Sequence, residues 1–399
     1  MSTMLQVFPK LFRQSGRVAA LAAGLLVAAG GWHSAQAQFT VDNLVGKSVG
    51  TVPDDMAKPL QQAIELFSKR QFDDARTLLK NTRVKYAQLP PEGVMMAQMF
   101  VAANQGLAAR GELERCVLND PKDPEPYLVF GDLAFQNRQI TESGLCFDKA
   151  NELVASYSAN PKRKQDLQIR SFAGQAAVAS AREQYTLEEQ YLAKWIQVEP
   201  DSIAAYTRLG RCQYNKGDSE AEKNAYATFR KLYDEVDKET DPSKKVPRAE
   251  VNMAVLYTQD DKVDNAKKLM ELALQRATPD DVNTRLAVSQ WALENGELTL
   301  AKQGAAAAAK SDPGSLQALL FSGIAARYEG NTQVAEKAFR EALAKSPSNF
   351  AALNNLSLTL IEQPDETKRR QALEFAQMNQ RINSELKTPA GRESAATLA

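Results

Sequence analysis

The chain has 399 residues, of which 44% are hydrophobic and 25% are charged, and its 49 lysines and arginines equal its 49 aspartates and glutamates. This balance, without a basic stripe, provides no electrostatic footprint for nucleic acid, so nucleic acid is not an expected partner. A composition rich in Ala, Leu, Glu, Lys and Gln, with few β-branched runs, favours an all-helical fold.

The first 37 residues have the three parts of a secretory signal peptide. Lys10, Arg13 and Arg17 precede an apolar run at 18–31, and small residues at 35–37 offer a cleavage site. The apolar run is short for a membrane-spanning helix. We therefore expect cleavage after Ala37, no integral membrane domain after cleavage, and a periplasmic or secreted mature chain of a bacterium. An uncleaved N-terminal helix that anchors the chain in a membrane remains an alternative.

Four segments follow from composition and periodicity. Residues 1–37 are the predicted signal peptide and residues 38–55, with Gly46, Gly50 and Pro53, an irregular linker. Residues 56–387 are predicted to be an array of about nine repeated helix pairs, interrupted at 158–164 and by a charged loop at 237–247. Residues 388–399 are predicted to be a disordered tail.

The repeat is clearest between Val282 and Asn349, where the pattern of residues 282–315 recurs in residues 316–349. In the second copy, apolar residues at three- and four-residue spacing predict a helix. Gly330 then breaks it, a second helical run follows, and Pro347 stops that run. One such pair buries too little apolar surface to fold alone, so a fixed period of this length indicates a stacked solenoid.

Small and aromatic residues of the second copy stand at fixed offsets from Leu316, with Gly323 at the eighth position and Phe339 at the twenty-fourth. Together with alanines and a proline, they resemble the tetratricopeptide repeat; the full set is Gly323, Ala335, Phe339, Ala342 and Pro347. The resemblance implies a right-handed superhelical α-solenoid of about nine antiparallel helix pairs. Glu188 and Glu222 depart from the pattern, since each stands where the family usually has alanine.

In the family that the repeat resembles, the first helix of each pair lines a concave surface on which peptides commonly lie. Carried onto this sequence, that surface includes these candidate partner-binding residues: Arg211, Tyr214, Asn215, Asn252, Gln290, Arg327 and Tyr328. The arginines and tyrosines are favoured because both residue types are enriched at binding hot spots. The Lys/Asn arrangement by which some family members hold a C-terminal carboxylate is not reproduced here.

Residue types needed for catalysis are scarce. The single histidine is His33, inside the predicted signal peptide, so the mature chain cannot use histidine as a base or a metal ligand. Phosphate-loop, GxSxG and paired-cysteine zinc patterns are missing from the sequence. Acidic pairs at 260–261 and 280–281 fall at predicted turns, where helix capping explains them. We expect no catalytic residue, metal or cofactor, and hence no enzymatic activity.

The three cysteines are an odd number for an exported protein. They are interpreted as small buried thiols, with a bridge between Cys116 and Cys146 as the alternative. A bridge would need their Cα atoms within about 7 Å.

The sequence therefore predicts an exported scaffold or assembly factor of the bacterial cell envelope, which recognises protein or peptide partners on a concave surface. Two alternatives stay open. One is an envelope hydrolase built on a helical superstructure, and the other is a membrane-tethered adaptor with an uncleaved N-terminal helix.

Overall fold

The computed structural model of the protein describes residues 39–45, 52–158, 160–236 and 245–382. These residues form nineteen α-helices, with no β-strand in the described ranges. The predicted all-α solenoid of about nine helix pairs is confirmed. The predicted signal peptide, including His33, and the predicted tail lie outside the described residues.

A short helix, α1 (Val41–Val45), precedes nine pairs, each made of a first and a second helix. The first helices are α2 (Asp54–Ser68), α4 (Glu92–Ala102), α6 (Glu125–Gln136), α8 (Pro161–Ala181), α10 (Ile203–Asn215), α12 (Ala249–Gln259), α14 (Val282–Glu294), α16 (Leu316–Tyr328) and α18 (Phe350–Ile361). The second helices are α3 (Phe72–Lys85), α5 (Gly106–Asn119), α7 (Ile140–Ser156), α9 (Tyr185–Val198), α11 (Ala221–Val236), α13 (Val263–Arg276), α15 (Leu298–Ser311), α17 (Thr332–Lys345) and α19 (Glu366–Ile382).

The described helices divide into two compact units. The N-terminal unit ends at Leu232 and the C-terminal unit begins at Tyr233. Each has apolar clusters of its own, around Leu113 in the N-terminal unit and around Met270 and Phe339 in the C-terminal unit. Because each cluster draws side chains from neighbouring pairs, stacking of pairs supplies the core that a single pair lacks.

Glycine at the eighth repeat position makes room for an aromatic ring from the second helix. A Cβ atom added to Gly323 would lie 2.6 Å from the ring of Phe339, which is fully buried. Gly131 faces Phe147 and Gly210 faces Phe229 in the same way. The paired helices therefore approach each other closely at these positions. The cause is the missing side chain at the first helix and the ring that fills the space.

Most turns inside the pairs share one backbone conformation. In eight of the nine pairs the turn contains a residue with positive φ, which is glycine in three cases, including Gly330 at φ 78°. In seven of these turns the next residue donates its N–H to a carbonyl five positions back, as in Asn331 to Ala326 at 2.8 Å. This Schellman-type closure satisfies the free carbonyl groups at the end of the first helix. The five turns without glycine have Arg70, Asn104, Arg138, Glu183 or Asp261 at this position.

Two segments that are predicted to be irregular contain helix. In the predicted linker, residues 41–45 form α1, and Leu44 and Val45 are buried against the first pairs. The helix α8 begins at Pro161, inside the predicted interruption at 158–164. Asn160 caps this helix by accepting the backbone N–H of Arg163 at 3.0 Å.

Candidate protein-binding surface

The first helices lie on the inner side of the stack within the C-terminal unit. Successive first helices, α12 to α14, α14 to α16 and α16 to α18, contact one another, whereas successive second helices make fewer contacts. Closer spacing on one side of a stack of pairs curves that side inward. The inner surface is therefore formed by first helices, where the sequence analysis places the candidate residues.

Three rows of side chains run across this inner surface, each taking one residue from each first helix. The first row consists of Val255, Gln290, Ile324 and Leu358; the second of Thr258, Leu293, Arg327 and Ile361; the third of Gln259, Glu294, Tyr328 and Glu362. We call these twelve residues the inner rows. From α14 to α18 the members of a row are one full repeat apart, so they occupy equivalent positions on contacting helices.

The inner rows expose apolar side chains that a folded core would normally bury. Val255 is 38% exposed, Tyr328 50% and Ile361 52%. Ile324 and Leu358 between them are half-buried. Exposed apolar and aromatic groups that line a concave surface are typical of protein-interaction sites.

An ion pair connects the last two first helices at this surface. The Nη2 atom of Arg327 lies 2.8 Å from Oε1 of Glu362, and its Nε donates to the same oxygen at 3.2 Å. The guanidinium carbon of Arg327 also lies 5.9 Å from the ring centroid of Tyr328. Arg327 is thus held by Glu362, and Tyr328 remains half exposed beside it.

Four of the seven predicted partner-binding residues lie in the C-terminal unit. Arg327, Tyr328 and Gln290 belong to the inner rows, and Gln290 donates to Glu294 at 2.9 Å. Asn252 is half-buried, and its side-chain amide donates to the carbonyl of Pro247 at 3.4 Å. The structure therefore brings three of the four to one surface. Asn252 instead fixes the segment that leads into α12, through its hydrogen bond to Pro247.

The other three predicted residues lie on α10 of the N-terminal unit, and only Asn215 is exposed. Tyr214 is 8% exposed. Arg211 is half-buried, and burial lowers its pKa in spite of the opposing charge of Glu188. Arg211 and Tyr214 thus belong largely to the packing of α10, so Arg211 is a poor position for a variant that should leave the fold intact.

The N-terminal unit contains a buried charge cluster that is not predicted from the sequence. The Nη2 atom of Arg163 contacts Asp123 at 3.0 Å and Glu125 at 2.7 Å, and all three side chains are at most 6% exposed. Arg170 adds a contact to Glu125 at 3.0 Å. The cluster joins the start of α6 to α8, and its buried charges are paired with one another, so we assign it a structural role.

Ile361 is the most exposed apolar residue of the inner rows that was not among the predicted partner-binding residues. The sequence does contain a signal for Ile361. It stands 34 residues after Arg327, at the equivalent position of the next repeat, so an isoleucine replaces a polar residue there. The sequence alone could not separate it from the buried apolar residues of α18, such as Leu360.

The acidic residues and thiols of the described ranges have structural surroundings. Asp281 accepts the backbone N–H of Thr284 at 3.1 Å, so its predicted role as a helix cap is confirmed. Cys116, Cys146 and Cys212 are free thiols, and burial raises the pKa of Cys116 to about 12. Within the described ranges, His, Cys, Asp and Glu side chains form no group that could hold a metal ion. Nor is any described helix both long and apolar enough to cross a membrane.

Comparison with known proteins agrees with the repeat. Residues 322–374, which run from α16 into α19, match the family model described as Tetratricopeptide repeat. This match confirms the resemblance that the sequence predicts. No curated protein matches the sequence significantly.

Solved structures of tetratricopeptide repeat proteins are similar to this chain. YrrB, described as having an unusual peptide-binding site, is 16% identical, with 60% of this chain and 95% of that chain covered and a TM-score of 0.25. A repeat protein from Cytophaga hutchinsonii is 14% identical, with 68% and 99% covered and a TM-score of 0.37. The TPR domain of P58(IPK) is 15% identical, with 86% and 98% covered and a TM-score of 0.25.

Proposed function

We propose that this chain of tetratricopeptide repeats is an exported scaffold or assembly factor of the bacterial cell envelope, which binds protein partners without covalent chemistry. The observation that supports this most is the inner surface of the C-terminal unit. It exposes Val255, Tyr328 and Ile361 on contacting first helices, next to the fixed ion pair of Arg327 and Glu362.

The chemistry of this surface suits recognition. Exposed aromatic and aliphatic groups provide anchors whose burial favours binding, and a surrounding set of amides and charges sets the orientation. Gln259, Gln290 and Glu294 are exposed beside the apolar groups. These side chains are suited to contact a partner surface, and within the described ranges no metal-binding group accompanies them.

The test is recovery of partners by crosslinking in the native cells, with purification of the tagged chain and mass spectrometry. The informative variant is Ile361→Asp, and its matched control is Val334→Asp. Ile361 and Val334 are 52% and 50% exposed, but Val334 lies in the first turn of the second helix α17. Aspartate is favourable in a first helical turn, so the control keeps the fold.

We expect Ile361→Asp to reduce partner recovery about tenfold, as for a hot-spot residue, and Val334→Asp to leave it unchanged. Equal recovery by both variants, with equal helical circular dichroism, would contradict binding at the inner rows. Absence of any partner above an untagged control would contradict the scaffold itself. The intact mass of the exported chain, beginning at Gln38 or at Met1, distinguishes the cleaved form from a membrane-tethered one.

A further inference from the structure

Tyr328 lies between two carboxylates in the third inner row. Glu294 is the last residue of α14, Tyr328 the last residue of α16, and Glu362 directly follows α18. The three stand at equivalent positions of successive repeats, on contacting helices. Packed helices lie about 8–10 Å apart. A side chain of a bound segment that reaches Tyr328 is therefore within reach of the carboxylate of Glu294.

The two carboxylates differ in how their charge is balanced. Glu362 is neutralised by Arg327 at 2.8 Å. Glu294 accepts a hydrogen bond from the neutral amide of Gln290 at 2.9 Å, and within the described ranges it has no cationic partner. Since Arg327 is the one cation of the inner rows, these rows have an excess of one formal negative charge, which lies at Glu294.

Tyr328 adds an exposed aromatic face to this negative charge. Half of the side chain is exposed, and the guanidinium of Arg327 lies at the outer limit of cation–π contact. A lysine or arginine that lies on the ring can also pair with a carboxylate, and the two interactions favour the same charge. An acidic side chain would instead meet Glu294 and Glu362 and would be repelled.

Ile361 provides the second part of the surface. It is 52% exposed and follows Tyr328 by one helix in the stack, next to Glu362. A bound segment that crosses the first helices therefore meets an aromatic and acidic position and then an apolar one. Val255, 38% exposed, offers another apolar position on α12.

We propose that the inner rows of the C-terminal unit bind a peptide segment of the partner that carries a lysine or arginine, seated on Tyr328 and paired with Glu294, near an apolar residue seated on Ile361. This assignment rests on the proposed function, because it specifies the partner of the same surface.

The test is selection of random linear peptides displayed on phage against the purified mature chain, followed by measurement of the dissociation constants of selected synthetic peptides. We expect enrichment of sequences in which a basic residue accompanies an apolar one. Their binding should weaken as salt is raised, because exposed charges are screened.

Three variants examine the basic subsite. Glu294→Arg is expected to weaken binding of the selected basic peptides about tenfold. Tyr328→Ala should weaken binding as well, while Tyr328→Phe retains the ring and most of the affinity. The matched control is Glu374→Arg, which reverses the charge of an exposed acid on the second helix α19 and should leave binding unchanged.

The outcomes separate this inference from the function on which it rests. Enrichment of acidic or purely apolar peptides, or basic peptides whose affinity is the same for Glu294→Arg and Glu374→Arg, would overturn the basic subsite and leave peptide binding in place. Failure to enrich any peptide over repeated selections would overturn the whole assignment of a peptide segment to the inner rows, whereas the proposed scaffold function is contradicted only if crosslinking in the native cells recovers no partner.

Discussion

At the scale of single residues, the presence or absence of one Cβ atom determines how closely paired helices approach. Gly323 and Gly111 both lie inside helices, and neither has a positive φ. An added Cβ at Gly323 would meet the ring of Phe339 at 2.6 Å, whereas at Gly111 it would meet nothing within 4 Å. The same substitution should therefore have opposite effects at the two positions.

We predict that Gly323→Ala lowers the free energy of unfolding by about 1–3 kcal/mol, because it overpacks a filled core. Gly111→Ala should raise it by about 0.5–1 kcal/mol, because alanine costs less backbone entropy in a helix. Urea unfolding followed by circular dichroism measures both. An equal shift in the same direction for the two variants would contradict the close approach of Phe339 to Gly323.

At the scale of helices, ion pairs of very different burial join neighbouring elements. The guanidinium of Arg163 is enclosed with Asp123 and Glu125 at the joint of α6 and α8. Arg110 of α5, by contrast, is 53% exposed, and it pairs with Glu142 of α7 at 3.7 Å as well as with Glu114 of its own helix at 3.0 Å. Loss of a buried charge leaves its partners unpaired in a poorly hydrated site, but loss of an exposed one does not.

Arg163→Ala is accordingly predicted to destabilise the N-terminal unit by about 3–5 kcal/mol. Arg110→Ala should cost less than about 1 kcal/mol. Hydrogen exchange measured by mass spectrometry locates the effect, with faster exchange expected in the first turns of α8 for Arg163→Ala alone. Comparable exchange in the two variants would show that the buried cluster does not hold this joint.

A second joint, in the C-terminal unit, depends on pH. Burial by itself would raise the pKa of Glu336, but hydrogen bonds from Lys368, Gln363 and Arg340 at 2.9–3.1 Å outweigh it and lower the pKa to about 2. Lys368 belongs to α19 and Glu336 to α17, so this carboxylate connects the eighth and ninth pairs.

A carboxyl pKa that is lower in the folded state stabilises the fold above the unfolded-state value, which is 4.5 for glutamate. This stabilisation is lost as the pH falls from 4.5 towards 2. We therefore predict that Glu336→Gln lowers the free energy of unfolding near neutral pH by about 1–3 kcal/mol. The difference from the unsubstituted chain should shrink as the pH falls through this window. A difference that is the same at pH 6 and pH 3 would contradict the assignment.

At the scale of the whole molecule, the repeat architecture could be predicted from the sequence because each pair has its own local signals. Apolar spacing defined the helices, and Gly330 and Pro347 defined their ends. These signals act within one pair and do not depend on its neighbours. The helix of residues 41–45 was missed because five residues are too few for periodicity, and its stability comes from burial of Leu44 and Val45.

The candidate surface was predictable only in part, because exposure depends on packing between pairs. Tyr214 and Tyr328 both lie in the last turn of a first helix, yet one is 8% exposed and the other 50%. Arg163 belongs to a basic stretch of sequence, which is typical of an exposed segment. In the structure it is instead enclosed by Asp123 and Glu125, about 40 residues away in the chain. Contacts at such separation leave no local pattern in the sequence.

We propose that partners bind the inner rows of the C-terminal unit. The decisive experiment places a photo-crosslinking amino acid at position 328 in one variant and at position 334 in another, with irradiation in the native cells. Because both side chains are 50% exposed, accessibility to crosslinking is matched. We predict defined crosslinked partners from position 328 and none from position 334. Crosslinking that is equal from both positions, or absent from position 328, would contradict it.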